Sequence, residues 1–437
     1  MGKSSFLYTL GLSFLVAIAI WNINGTATSA ISNSADYFGR TMAHNIALAG
    51  ANIATQQLFR DTSYSEDLSD QQFSGGTFDT YVDRSSGIVT ITSVSHYENN
   101  GQTLHDTVIA TFRHTPFAKY AYFSEAEQNG YLAAGSNAAP SGVSMWKITG
   151  DSLLGYAHTN GNWHLGGTPF FRDKVTATNG PSTMLVGGVY DPIFAGGYQW
   201  GLSVNRPQAN IANLEGAAAA SVPPALLDGN DVALTFFADG TVSVKIPPGS
   251  GTVRNDTVSV GTLTSNGIIA VKNGDLRIKG TYHGQLTLLS LGDTACGGTK
   301  GNIWIDGDLL AADDPRTDPS SNDMLGLVAE RMTYVTTTDI YRDESSVVNI
   351  EAAIYCQKGV FAAENYSTIP VSGRIRLFGS LTMGASTSTG YLGNSGAGYY
   401  LEHGFLKSIE HDPRYLSAAP PRFPVSDRYE LVSWWER

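Results

Sequence analysis

Apolar positions along the chain follow three successive rhythms, and the first is unbroken. No charged residue occurs between Lys3 and Asp36, and within that window Phe6 to Ile23 is almost wholly apolar. At about 1.5 Å per helical residue this run is roughly 27 Å long, close to the ~30 Å hydrocarbon core of a bilayer. Trp21 stands near its far end, where an indole favours the interface, and Lys3 stands on the short side that the positive-inside rule assigns to the cytoplasm. The run predicts a membrane anchor over residues 1–30, with the body outside the cytoplasmic membrane, in the periplasm or at the cell surface. The alternative is a cleavable signal peptide. Gly25-Thr26-Ala27 offers a small-residue cleavage site, although the run is longer than the ~7–15 residues usual for such signals.

The second rhythm is helical. Phe38, Met42, Ile46, Ala49 and Ile53 recur at steps of four, four, three and four, one face of an amphipathic stalk helix over residues 31–61. Asn22-Ile23-Asn24-Gly25 is the weak point in a helix continuous with the anchor. The segment MAHNIALAGANIATQQLF (Met42–Phe59) resembles the small-residue helix of PilX-type minor pilins. That resemblance implies a type IV pilin-like subunit whose partners are other pilin-like subunits or envelope proteins. Small residues that let helices approach, Gly11, Ala17, Ala19, Ala43, Ala47 and Gly50, are the candidates for lateral helix packing. The chain departs from the pilin pattern at its start: Gly2 precedes Lys3, Gly11 precedes Leu12, and the apolar run holds no glutamate.

The third rhythm is that of strands. Residues 62–76 are polar and read as a loop, after which Thr77–Asp83, Gly87–Tyr97 and Thr103–Arg113 alternate. Asn100-Gly101 between the last two is a type I′ hairpin signal, and residues 62–115 are expected to form a β-hairpin pilin-like head on the helix. Beyond Pro116 short apolar stretches are separated by Gly or Asn. They form a β-rich region over 116–260, interrupted by an Ala-rich helical insertion at 205–228 that Pro223-Pro224 ends. Over 261–400 the units become regular, as in Asp275-Leu-Arg-Ile-Lys-Gly and Gly301-Asn-Ile-Trp-Ile-Asp-Gly. Each is too short to bury a face alone, so the units must stack. The expected fold is mainly β: a long N-terminal helix and hairpin, then a right-handed β-helix or solenoid-like body. A β-sandwich with long loops is the alternative. The proline-rich tail, 401–437, is expected to cap or strap the body. The segments YAHTNGNWHLGGTPFFRDKV, NGIIAVKNGDLRIKGTYHGQLTLLS and PPRFPVSDRYELVSWWE are similar to an uncharacterised bacterial family of envelope proteins. That likeness implies a pilin-like N-terminus followed by a β-solenoid.

Composition narrows the function. Charged residues are only 15% of the chain and glycines number 48, which suits an exported β-rich protein. A net charge of −12 without a Lys/Arg cluster excludes a nucleic-acid partner, which needs a basic face. Cys296 and Cys356, 60 residues apart and outside any CxxC spacing, either pair in an oxidising compartment or stand as independent thiols.

Candidate chemistry is sparse. Asp306, Asp308, Asp313 and Asp314, with Asp318 and Asp323 nearby, supply hard oxygen ligands at a density that suits calcium, without EF-hand spacing. Asp306, Asp308 and Arg316 would also suit a polysaccharide-active β-helix if they converged. His158, Asn160 and His164 form a metal candidate or a polar ladder. Glu402-His403 and Glu410-His411-Asp412 are acid–base candidates, but no nucleophile motif, Walker A, HExxH or Rossmann fingerprint accompanies them. No catalytic or cofactor-binding residue is therefore assigned, and the expected role is structural: an exported, membrane-anchored subunit, not an enzyme. An anchored adhesin that binds a surface glycan is the second reading.

Overall fold

The computed structural model describes residues 2–85, 87–127, 144–206, 209–229, 231–247, 253–292, 299–337, 342–386, 388–396 and 398–436. Cys296 lies outside them; Cys356 is buried, and loss of water pushes its thiol up to about 11. The chain divides into two compact units, residues 1–115 with 427–437, and residues 116–426.

The first unit is a helix on an antiparallel sheet. Helix α1 runs unbroken over Gly2–Arg60, through Asn22–Gly25. No proline interrupts it, and hydroxyls along it bond back one turn: Ser13 to the Thr9 carbonyl and Thr26 to the Asn22 carbonyl. Its apolar first half is exposed from Phe6 through Ile23. Its second half packs on the sheet formed by β1 (Leu68–Phe73), β2 (Gly76–Ser85), β3 (Ile88–Asn99) and β5 (Thr107–Pro116), with β4 (Gln102–Leu104) paired to β3. Asn100 and Gly101 take φ +50° and +78°, the backbone the Asn-Gly turn was expected to supply.

The buried stripe of α1 is Gly39, Ala43, Ile46, Ala47, Gly50, Ala51, Ala54 and Leu58. It is rotated by about one residue from the expected stripe, whose Phe38 and Ile53 are exposed. The sheet lies close enough to select for size: a Cβ on Gly50 would stand 2.3 Å from Ser93 Oγ and 2.6 Å from Phe78 Cδ2. The large apolar residues therefore sit at the margins. β1, which falls within the expected loop, is a polar edge strand with almost no buried face, so no alternation marks it.

In the second unit strands stack mainly in parallel. One ladder runs through Leu226–Asp228, Ile268–Lys272, Gln285–Leu291, Met324–Ala329, Val347–Cys356 and Val371–Met383. It then continues not into later sequence but into Tyr122–Ser124, Ala157–Thr159, Val175–Ala177 and Tyr198–Trp200. A second ladder begins at Val232–Phe236 and passes Leu276–Tyr282, Ile303–Ala311, Thr333–Val335 and Phe361–Ala363. A third joins Val347–Cys356, Val371–Met383, Tyr399–His411, Ser152–Leu154, Phe170–Phe171 and Ile193–Phe194. Inward residues such as Ile269, Leu288, Leu327, Ile354 and Leu381 fill one continuous core. Where Val371–Met383 turns between ladders, Gly379 takes φ +151°, and a Cβ there would lie 2.0 Å from the Ala352 carbonyl oxygen. Among the described residues, antiparallel pairs in this unit are confined to the 232–259 meander and the 390–404 hairpin, with one isolated bridge. Two packed antiparallel sheets, the sandwich alternative, would not give this pairing.

The expected boundary at 260/261 is therefore no structural boundary, because strands on its two sides pair in the same ladders. Strand order also differs from chain order. The short strands from Tyr122–Ser124 to Tyr198–Trp200 that join these ladders stack beyond the late strands, and helix α2 (Ile211–Ala219) precedes the start of the ladders at Leu226. Asn160 bonds both the carbonyl and the N–H of Val204, at 2.6 and 2.9 Å. Helix α2 buries Leu214, Ala217 and Ala218 against Ile268, Ala270 and Leu289.

The tail is not a single cap. Tyr399–His411 is a ladder strand, Tyr415 and Phe423 strap the outer face beside Tyr355, and Val425–Glu436 joins the first unit's sheet next to β5. Residues 116–426 are thus an insertion between two neighbouring strands of one sheet.

Candidate functional site

Three places gather groups that could act on something outside the chain: the helix surface, the acidic loops and a cavity in the second unit.

On the helix, the small residues separate into two sets. Ala43, Ala47 and Gly50 are buried against the chain's own sheet and are not available to another helix, which corrects their assignment as lateral-packing residues. Ala47 and Ala51 instead meet Val108 and Trp434. Gly11, Ala17 and Ala19 lie on the exposed apolar half, and a Cβ at Gly11 would point into open space. This is the chain's one described helix long and apolar enough to cross a membrane.

The acidic candidates do not converge. Asp306 is held by the Arg277 guanidinium at 2.7 and 2.9 Å and by Thr336 Oγ1 at 2.7 Å. Asp308 accepts the Asn349 N–H, and Asp314 pairs with Arg316, which also reaches Glu351. The Arg316 hydrogen bonds hold the Asp314 carboxyl below its ordinary range. Only Asp313 joins a possible ligand group, with His283 and Asp323, all donor atoms within 4.8 Å of one another. Both Asp323 oxygens already accept backbone N–H groups, of Gly284 at 2.6 Å and Asp313 at 2.9 Å, so this carboxylate clamps a turn. The four aspartates therefore do not form the expected calcium site, and Asp306, Asp308 and Arg316 have separate partners.

The histidines part in the same way. His158 bridges Thr176 Oγ1 and Asn160 Oδ1 at 2.7 and 2.9 Å, and burial pushes its pKa down. His164 packs at a tilt against the Trp146 ring instead, with centroids 5.3 Å apart. His403 and His411 each bond a backbone carbonyl, of Ile369 and Ala118. Glu410 pairs with Arg172 and Asp412 with Arg414.

Sequence reasoning missed two clusters. Glu127 and Lys147 form an ion pair of 2.7 Å with side chains 0% and 2% exposed. Tyr122 Oη donates to Glu127 Oε1 at 2.7 Å, and Ser124 Oγ also donates to it. Burial is the largest influence and opposes both charges, but the pair's attraction and the hydrogen bonds around it together outweigh it: Glu127 is held below its ordinary value and Lys147 above. Beside this pair is a cavity of about 380 Å³, walled by Trp146, Tyr366, Tyr391, Tyr399 and Phe405, with Lys407 among its lining. The ion pair joins Tyr122, Ser124 and Glu127 to Lys147 only twenty residues on, without a recognisable motif, whereas the cavity is assembled from distant segments.

No family model matches the chain, and no curated protein matches it. Among solved structures the chain is similar to the crystal structure of the competence-associated pilin ComZ from Thermus thermophilus. The identity is 16% and the TM-score 0.38, over 92% of this chain and 97% of that one.

Proposed function

We propose that this protein is a membrane-anchored envelope subunit on the plan of a type IV minor pilin, displaying an inserted β-solenoid outside the cytoplasmic membrane. One observation carries the reading: α1 is a single helix whose apolar first half is exposed while its second half is the spine of an antiparallel sheet. An exposed apolar run of that length is unfavourable in water and stable in a bilayer. Like helices then pack beside it through Gly11, Ala17 and Ala19. The parallel ladders support reading the insertion as a solenoid, whose short strands bury their faces only on one another. Replacing Ala19 by a photo-crosslinking residue in native membranes tests the assembly role. Crosslinks to pilin-like subunits are expected from Ala19 and none from Ala47, which the head buries. Equal crosslinking from both positions, or none from Ala19, would refute it.

A further inference from the structure

The cavity beside the Glu127–Lys147 pair has the character of a binding site. Its walls are aromatic and aliphatic: Trp146, Tyr391, Tyr399 and Phe405, with Ile148 and Leu401 between them. The Ser388 and Thr389 hydroxyls in its lining are already committed, to the carbonyls of Gly390 and Phe405.

The lining also carries a cation. Lys407 is half-buried, and among the described residues its ammonium has no ion pair or hydrogen bond. The carboxylate facing it, Asp151, is spent on backbone: Oδ2 accepts the Ile148 N–H at 3.0 Å and Oδ1 the Lys407 N–H at 2.8 Å. Glu127 is bound to Lys147. Loss of water, then the nearby Lys147 charge, push the Lys407 ammonium down to about 8, against weaker opposition from Asp151 and Glu127. A charge desolvated in this way is stabilised by an anion delivered into the cavity.

We infer that this cavity binds a small carboxylate with an apolar body, its carboxylate on the Lys407 ammonium and its body against the aromatic walls. At roughly 30 Å³ per water-sized group the space admits about a dozen heavy atoms. The site lies wholly in the second unit, so its failure leaves the anchor reading untouched.

Calorimetry on the full chain in detergent, with 3-phenylpropionate and its neutral amide, tests the inference. The carboxylate should bind at least about tenfold more tightly than the amide, as a buried charge-assisted bond requires. Lys407→Met should erase that preference and Lys407→Arg should retain it. Leu401→Trp, which fills the cavity, should abolish binding of both ligands with the melting temperature unchanged. Equal binding of acid and amide, or a preference that survives Lys407→Met, would overturn the site. So would Lys407-dependent binding of glucuronate or a DNA oligonucleotide with none of phenylpropionate.

Discussion

Breaking the Glu127–Lys147 pair should destabilise the second unit more than most single changes. The two groups meet at 2.7 Å with almost no exposure, and Lys147 Nζ lies 4.7 Å and 5.6 Å from the ring centroids of Tyr122 and Trp163. Lys147→Met leaves a buried carboxylate with two hydroxyl donors and no counter-charge. Uncompensated buried charge of this kind costs about 3–5 kcal/mol. Glu127→Leu should cost a similar amount by stranding the ammonium. The double variant removes both charges and should recover at least about 2 kcal/mol of the sum of the single costs. Native-state hydrogen exchange of Tyr122–Ser124 and Trp146–Lys147 in the full chain reads these opening energies locally. The pH dependence has a definite sign. Because Glu127 is held below the ordinary glutamate value of 4.5, its contribution is present above that pH and lost as pH falls through the lower folded value. A single substitution costing less than about 1 kcal/mol, or strictly additive costs, would refute the view that the pair is dry and mutually dependent.

Three further outcomes follow from close packing and buried charge. Gly50→Val should destabilise the helix–sheet unit by about 1–3 kcal/mol, measured by exchange in β3, because Ser93 and Phe78 leave no room for its side chain. Gly379→Ala should cost at least about 1–3 kcal/mol, measured by urea denaturation, since φ +151° and the Ala352 carbonyl oppose any Cβ. Lys407, shifted from 10.5 to about 8, binds fewer protons folded than unfolded between those values, so stability should rise as pH goes from about 8 to 10.5. Thermal melts should therefore show Lys407→Met more stable than wild type at pH 7, the gap narrowing by pH 10.

Local periodicity made the helix and the head strands legible, because each repeats within a few residues. Phe6–Ile23 and the Asn100-Gly101 turn carry their meaning in place. The buried face of α1 lies about one position from the one that apolar size marks, because size points to Phe38 and Ile53 whereas the close sheet selects glycine and alanine. Short strands with glycine corners indicated stacking, but not the order of the stack. The pairing of Leu381 with Tyr122 across most of the chain leaves no local trace. The cavity depends on that order, since it brings Trp146 and Asp151 beside Tyr391 and Lys407, and no local spacing marks Lys147 as the partner of Glu127. The aspartates are dense in sequence yet dispersed among separate partners, because a register irregularity between Ile305 and Leu309 separates Asp306 from Asp308, and Asp313 and Asp314 sit in turns.

The most direct test of the account is the intact mass of the protein recovered from washed native membranes. A membrane-bound species that retains Phe6–Ile23 and is released only by detergent is expected. A soluble species beginning after Ala27 would contradict it, because the exposed half of α1 would then have been a signal and not an anchor.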